Sequence, residues 1–195
     1  MNMKTITYWL SGVLTILLLN SCSYNSMVEK DEAVSKAWSN VETQYQRRAD
    51  LIPNLVNTVK GYAKHENATL EAVIAARSRA TQITIDPNNL TPEKITEYQR
   101  AQGEISNALG KLLAITENYP DLKANENFSE LQAQLEGTEN RITEARKRFN
   151  DAVQDYNTYI RSFPNNLFAG IFGFSRKENF KADAGASNAP NVQFD

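Results

Sequence analysis

The chain has almost none of the residues that bond-making chemistry draws on. It holds a single cysteine, Cys22, and a single histidine, His65. One thiol excludes an intramolecular disulfide. No cluster of histidine, cysteine and acid has metal-ligand spacing, and no glycine-rich phosphate loop is present. A nucleophile and its base would have to be built on His65, which falls near a turn between two predicted helices and reads as a solvent-facing side chain. No catalytic residue, no metal and no cofactor are therefore expected. Eight glycines and six prolines are too few for a sheet protein full of tight turns. The net charge is only −2, with both signs mixed along the chain. That leaves no basic face for nucleic acid and no polybasic block for acidic lipid.

Long apolar runs are missing too, with one exception. Residues 6–19 read ITYWLSGVLTILLL, preceded by Lys4 and followed by Asn20-Ser21-Cys22. The run falls short of the roughly 20 apolar residues of a comfortable membrane span. A positive start, an apolar stretch and a small residue before the cysteine predict a signal peptide or membrane anchor over residues 1–21. Leu19 and Ser21 resemble the lipobox of bacterial lipoproteins. That resemblance implies cleavage before Cys22, a lipid on its thiol and an acylated new amino end. An uncleaved, slightly short anchor and an ordinary free thiol are the alternatives. Both attached forms make membrane lipid the first expected partner and put everything past Cys22 outside the cytoplasm.

Helical periodicity dominates from residue 27 to 163. A first seam runs Val34, Trp38, Val41, Tyr45, Arg48, Ile52, Leu55, Val59, Tyr62, spaced by alternating fours and threes. A shorter second helix carries Leu70, Val73, Ile74, Ala76 and Ala80, with Asn67 as its N-cap. Thr91-Pro92-Glu93 opens a third helix with a capping hydroxyl, a proline at the first position and an acid in the first turn. Its seam runs from Ile95 to Tyr119, and Pro120 ends it. A fourth helix from Phe128 to Ile160 follows. Pro53 predicts a kink in a continuous first helix. The expected fold class is all-α: an antiparallel up-down-up-down four-helix bundle over residues 22–174, with two long outer helices. Its first and fourth helices, about 35 residues each, would run about 50 Å. The fourth would end at the anchored end of the bundle. Residues 175–195 are polar and aperiodic and read as a flexible tail. Gly103 and Gly110 lie off the third seam, either as tolerated surface glycines or as a place for close approach of another chain.

Arg48 is the most unusual polar residue, because it falls on a core seam. A buried guanidinium needs an acid or several carbonyls. Antiparallel pairing brings it level with residues 142–145, where Glu139 and Glu144 are the nearest acids. Two readings stay open: an ion pair that fixes helix register, or a ligand site built on Arg47, Arg48 and Asp50. A second candidate is the glycine-broken aromatic stretch holding Leu167, Phe168, Ile171, Phe172 and Phe174. It either dips into a membrane interface or folds back as a plug over Val34 and Trp38.

Several blocks carry a family resemblance. They are Tyr24-Asn25-Ser26-Met27-Val28, Trp38, the run from Gln46 through Arg47-Arg48-Ala49-Asp50-Leu51-Ile52-Pro53-Asn54 to Val56, residues 59–63, Leu135 to Ile142, Arg148-Phe149-Asn150 and Tyr156-Asn157. Together they resemble the LemA family of bacteria. The resemblance implies a membrane-attached helical bundle outside the cytoplasm and a protein partner in the cell envelope. It implies no reaction. The combined expectation is a non-enzymatic scaffold or adaptor; the alternative is a small-molecule or lipid binder using the bundle interior near Arg48.

Overall fold

The computed structural model describes residues 3–87 and 89–181, with side chains from Ser23 onward. The expected lipid attachment at Cys22 and the tail beyond residue 181 lie outside the described residues. Among the latter are α1 (Met3–Tyr62), α2 (Asn67–Gln82), α3 (Pro92–Thr116), α4 (Pro120–Lys123), α5 (Glu126–Arg161) and a 3-10 turn at Asn165–Leu167. No strand occurs among the described residues, in keeping with the all-α expectation. The helix count differs from four, because Pro120 opens a helical turn of its own after α3 has closed at Thr116.

Local chemistry accounts for most boundaries. The Thr91 hydroxyl accepts from the backbone N–H of Lys94, with Pro92 at the first helical position. Asn125 caps α5 by accepting from Phe128 N at 3.0 Å. Asn67 is not the cap of α2: Glu66 takes that place, without a side-chain bond, and Asn67 starts the helix.

α1 is longer than its seam alone predicts, 60 residues without interruption. The apolar run and the core seam thus share one helix. Pro53 lies inside it and breaks nothing. Proline has no N–H, so the carbonyl of Ala49 loses its partner within the helix. Arg77 of α2 supplies the replacement, its Nε donating to Ala49 O at 2.7 Å. The gap opened by proline therefore ties α2 onto α1.

α1 lies along α5, and α2 packs on α3 and on α1. The contacts Lys30–Tyr159, Trp38–Phe149 and Arg48–Glu139 step up α1 as they step down α5, so the two helices are antiparallel. The interior divides in two. One cluster joins Met27, Val34, Trp38, Val41 and Tyr45 of α1 to Ile142, Phe149, Val153, Tyr156 and Ile160 of α5. The other joins Ile52, Leu55 and Val59 to Leu70, Val73, Ile105, Leu112, Leu122 and Phe128. Ile74 and Tyr62 were expected in the seams but are exposed. Ile74 lies one residue past the buried Val73, on the outer edge of α2's narrow stripe.

After α5 the chain turns back. Gly173, at φ 81°, takes a left-handed conformation that glycine adopts without a steric cost. Residues 175–181 then run along α5 as a strap pinned by hydrogen bonds, although sequence assigned them to the start of the tail.

Candidate functional site

Arg48 sits at the waist between the two apolar clusters, one turn from Tyr45 and one from Ile52. It is 1% exposed. Its Nη1 donates to Glu139 Oε1 at 2.7 Å and to Ser106 Oγ at 2.7 Å. Its Nη2 donates to Gln102 O at 3.0 Å and Gln102 Oε1 at 2.7 Å. The guanidinium also lies 5.1 Å from the Tyr45 ring centre. Only Nε lacks an acceptor. One side chain of α1 therefore joins α3 and α5 at one level. Glu139 keeps 45% of its side chain exposed, so the pair is buried from the cationic side only.

The other residues of the expected cluster do not converge on it. Glu144 pairs with Arg148 on the outer face of α5 at 2.9 Å, and that neighbour holds its carboxyl below the usual range. Arg47 and Asp50 are exposed, and Asp50 accepts from Gln46 at 2.7 Å. His65 is exposed in the α1–α2 turn. An open groove of about 980 Å³ does run beside Arg48, lined by Glu42, Tyr45, Arg47, Asp50, Tyr98 and Gln102 among others. Arg48 is not among the residues that line it; the guanidinium is bonded to α3 and α5, with Gln102 and Tyr45 between. Burial pushes the Glu42 carboxyl up. Gly103 and Gly110 have open space where a Cβ would sit, so no other part of this chain requires glycine there. Among the described residues no group of histidine, cysteine and acid could hold a metal ion.

The aromatic stretch is partly packed on the bundle and partly exposed. Ala169 is buried and Phe174 packs against the cluster that contains Val34. Leu167 is 57% exposed, Ile171 76% and Phe172 42%. Phe163, missed in the sequence, is 80% exposed beside them in the chain. The Phe168 ring lies 6.4 Å from that of Phe172. Tyr24 packs edge-on against Phe172 at 5.2 Å and Phe174 at 5.8 Å. Phe172 and Phe174 thus lie at the end of the bundle where α1 leaves the apolar run. The plug over Trp38 comes instead from Phe180, stacked on the indole at 5.7 Å. No helix among the described residues is long and apolar enough to cross a membrane.

Comparison with known proteins supplies the relationship. Magnetosome protein MamQ 2 of Paramagnetospirillum magneticum is 28% identical over 175 residues, covering 81% of this chain and 64% of that protein. Magnetosome protein MamQ of Magnetospirillum gryphiswaldense is 28% identical over 188 residues, covering 88% of this chain and 68% of that protein. Protein LemA of Metamycoplasma hominis is 23% identical over 145 residues, covering 74% of this chain and 63% of that protein. The chain thus spans a little under two thirds of the first of these relatives. The sequence pattern of the LemA family matches residues 37–194, so the chain belongs to the LemA family.

Proposed function

We propose that this chain is a non-enzymatic scaffold or adaptor of the bacterial cell envelope, held to a membrane through its N-terminal segment or a lipid on Cys22. Its bundle faces outside the cytoplasm. The observation that carries the reading is that Phe163, Leu167, Ile171 and Phe172 are all exposed within ten residues of chain, a stretch tied by Phe172 to Tyr24 near the start of the bundle. A cluster of large exposed apolar side chains marks a contact with lipid or protein, and aromatic rings are at home in the interfacial layer. Lipid is favoured because Tyr24 stands two residues after Cys22, so an anchor at either place brings this stretch to the bilayer surface. Kinship with magnetosome proteins is compatible with such a post.

The test is photocrosslinking of the full chain, reconstituted in vesicles that contain a photoactivatable phospholipid. Adducts are expected on residues 163–172 and not on residues 126–135 at the far end of α5. Adducts spread evenly along α5, or absent from residues 163–172, would refute the interface reading.

A second reading rests on the groove beside Arg48. A small polar ligand seated there would meet Arg47, Asp50 and Glu42 rather than the Arg48 guanidinium. Saturable protection of Arg47 from a guanidinium-modifying reagent by such a ligand would support it; none across a metabolite panel would discard it.

A further inference from the structure

The strap is held in a manner that needs no covalent link to the bundle. Asn157 donates Nδ2 to Lys177 O at 2.8 Å and accepts Lys177 N into Oδ1 at 3.0 Å. Asn150 does the same to Phe180, at 3.3 Å to the carbonyl and 2.8 Å from the N–H. Each side-chain amide thus pairs with both backbone groups of one strap residue, as a neighbouring β-strand would. The two asparagines are seven residues apart on α5, about 10.5 Å at 1.5 Å per residue. Phe180 stands three positions after Lys177, an offset that spans about 10 Å only when the backbone is extended. The match fixes an extended segment running antiparallel to α5. Arg146 Nη2 and Gln99 Nε2 close the ladder on Lys181 O at 3.1 and 2.8 Å.

These bonds recognise a backbone and are blind to side chains. Selectivity comes from two seats between them. Phe180, 6% exposed, lies parallel to Trp38 at 5.7 Å, edge-on to Phe149 at 5.2 Å, with the Arg146 guanidinium 4.9 Å from its ring centre. Lys177 reaches Asp31 at 2.6 Å and lies 5.4 Å from the centre of the Tyr156 ring. Glu178 and Asn179 between them point to solvent. The groove is built from a repeated pair on α5, Phe149-Asn150 and Tyr156-Asn157, in which the aromatic lines a seat and the asparagine holds the backbone.

We propose that this groove of α1, α3 and α5 is a recognition site for extended peptide segments that carry a cationic side chain three residues ahead of an aromatic one. The chain's own residues 175–181 occupy it in cis, and a partner protein's segment of the same chemistry takes their place. The proposal gives the adaptor reading its partner class, and it rests on the groove rather than on membrane attachment. A tethered strap competes at an effective concentration in the millimolar range, so a free peptide binds well only when the strap is weakened.

The experiment uses the full chain with Phe180→Ala and a fluorescent peptide of the sequence FSRKENFK, followed by polarisation. The weakened chain should bind it at least about tenfold more tightly than the unaltered chain, and so should a chain altered only at Lys177→Ala. Replacing lysine four or phenylalanine seven of the peptide by alanine should cost about tenfold, as should Asn157→Ala in the groove. The Lys177→Ala chain carries the comparison should Phe180→Ala lose its helical circular dichroism. Equal binding by weakened and unaltered chains, or indifference to the peptide's lysine and phenylalanine, would overturn the proposal. So would an unaltered chain that is a dimer by light scattering and becomes a monomer on adding peptide, which assigns the groove to a second copy. Failure of the vesicle crosslinking leaves these outcomes untouched, so the two readings fail separately.

Discussion

Removing the carboxylate opposite Arg48 tests whether that arginine locks the bundle. In Glu139→Ala the guanidinium, 1% exposed in the unaltered chain, keeps only the neutral acceptors of Ser106 and Gln102. It loses a charge-assisted bond worth about 1.5–3 kcal/mol. Breaking a fully buried pair costs about 3–5 kcal/mol, since one charge is stranded. Glu139 is 45% exposed, so water screens the pair from one side and the expected loss sits low, at about 2–3 kcal/mol. For a chain of this size that lowers the melting temperature by about 4–12 °C. Glu139→Gln keeps an acceptor in place and should lose about half as much. In Arg48→Met the stem packing stays and no cation is stranded, so adding Glu139→Ala to it should cost at least about 1 kcal/mol less than Glu139→Ala alone. Urea unfolding followed by circular dichroism measures all four. A Glu139→Ala chain within about 0.5 kcal/mol of the unaltered one, or strict additivity in the double variant, would refute the lock.

Three further outcomes follow from the same coordinates. Pro53→Ala restores the N–H that Ala49 O lacks, so Arg77→Ala should cost about 1–2 kcal/mol in the unaltered chain and clearly less with Pro53→Ala, by a double-mutant cycle; equal costs would contradict the relay. Gly110→Ala should stabilise the chain by up to about 1 kcal/mol, because a Cβ there meets nothing within 4 Å; a loss of stability in urea melts would contradict it. The Tyr156 phenol is pushed up to about 12 by burial and by the charge of Asp31, and burial raises Tyr98 further. The folded state then holds protons that the unfolded state releases, so stability is complete below pH about 10 and falls as pH climbs toward about 12. Urea midpoints and ultraviolet phenolate titration across that interval check this, and midpoints flat with pH would contradict it.

The sequence shows the Arg48–Glu139 pair well because both elements are regular. A seam with strict three-four spacing sets which face of α1 is buried, and antiparallel pairing sets the level on α5. Glu144 was a poorer choice for a local reason: Arg148 lies four residues on, on the same outer face. The length of α1 was legible in principle, since no proline precedes Pro53 and only one glycine, Gly12, lies before it. Reading the run as a separate unit hid it. The strap was hidden more deeply. Its residues have no periodicity, and their order comes from amides and rings on another element. The signal that announces it is the aromatic-asparagine pair recurring seven residues apart at Phe149-Asn150 and Tyr156-Asn157. The exposure of Leu167, Ile171 and Phe172 could not be separated from a plug by composition alone, since both environments favour the same side chains.

The proposed role needs a helical bundle tethered at one end, with residues 163–172 beside the tether and the far end away from the bilayer. Neutron reflectometry of the full chain on a supported bilayer measures the height of the protein layer directly. With 36 residues in α5 at 1.5 Å each, the account predicts a layer about 50–55 Å thick outside the lipid headgroups. A layer about 20–25 Å thick, two helix diameters, would mean that the rod lies flat and would contradict it.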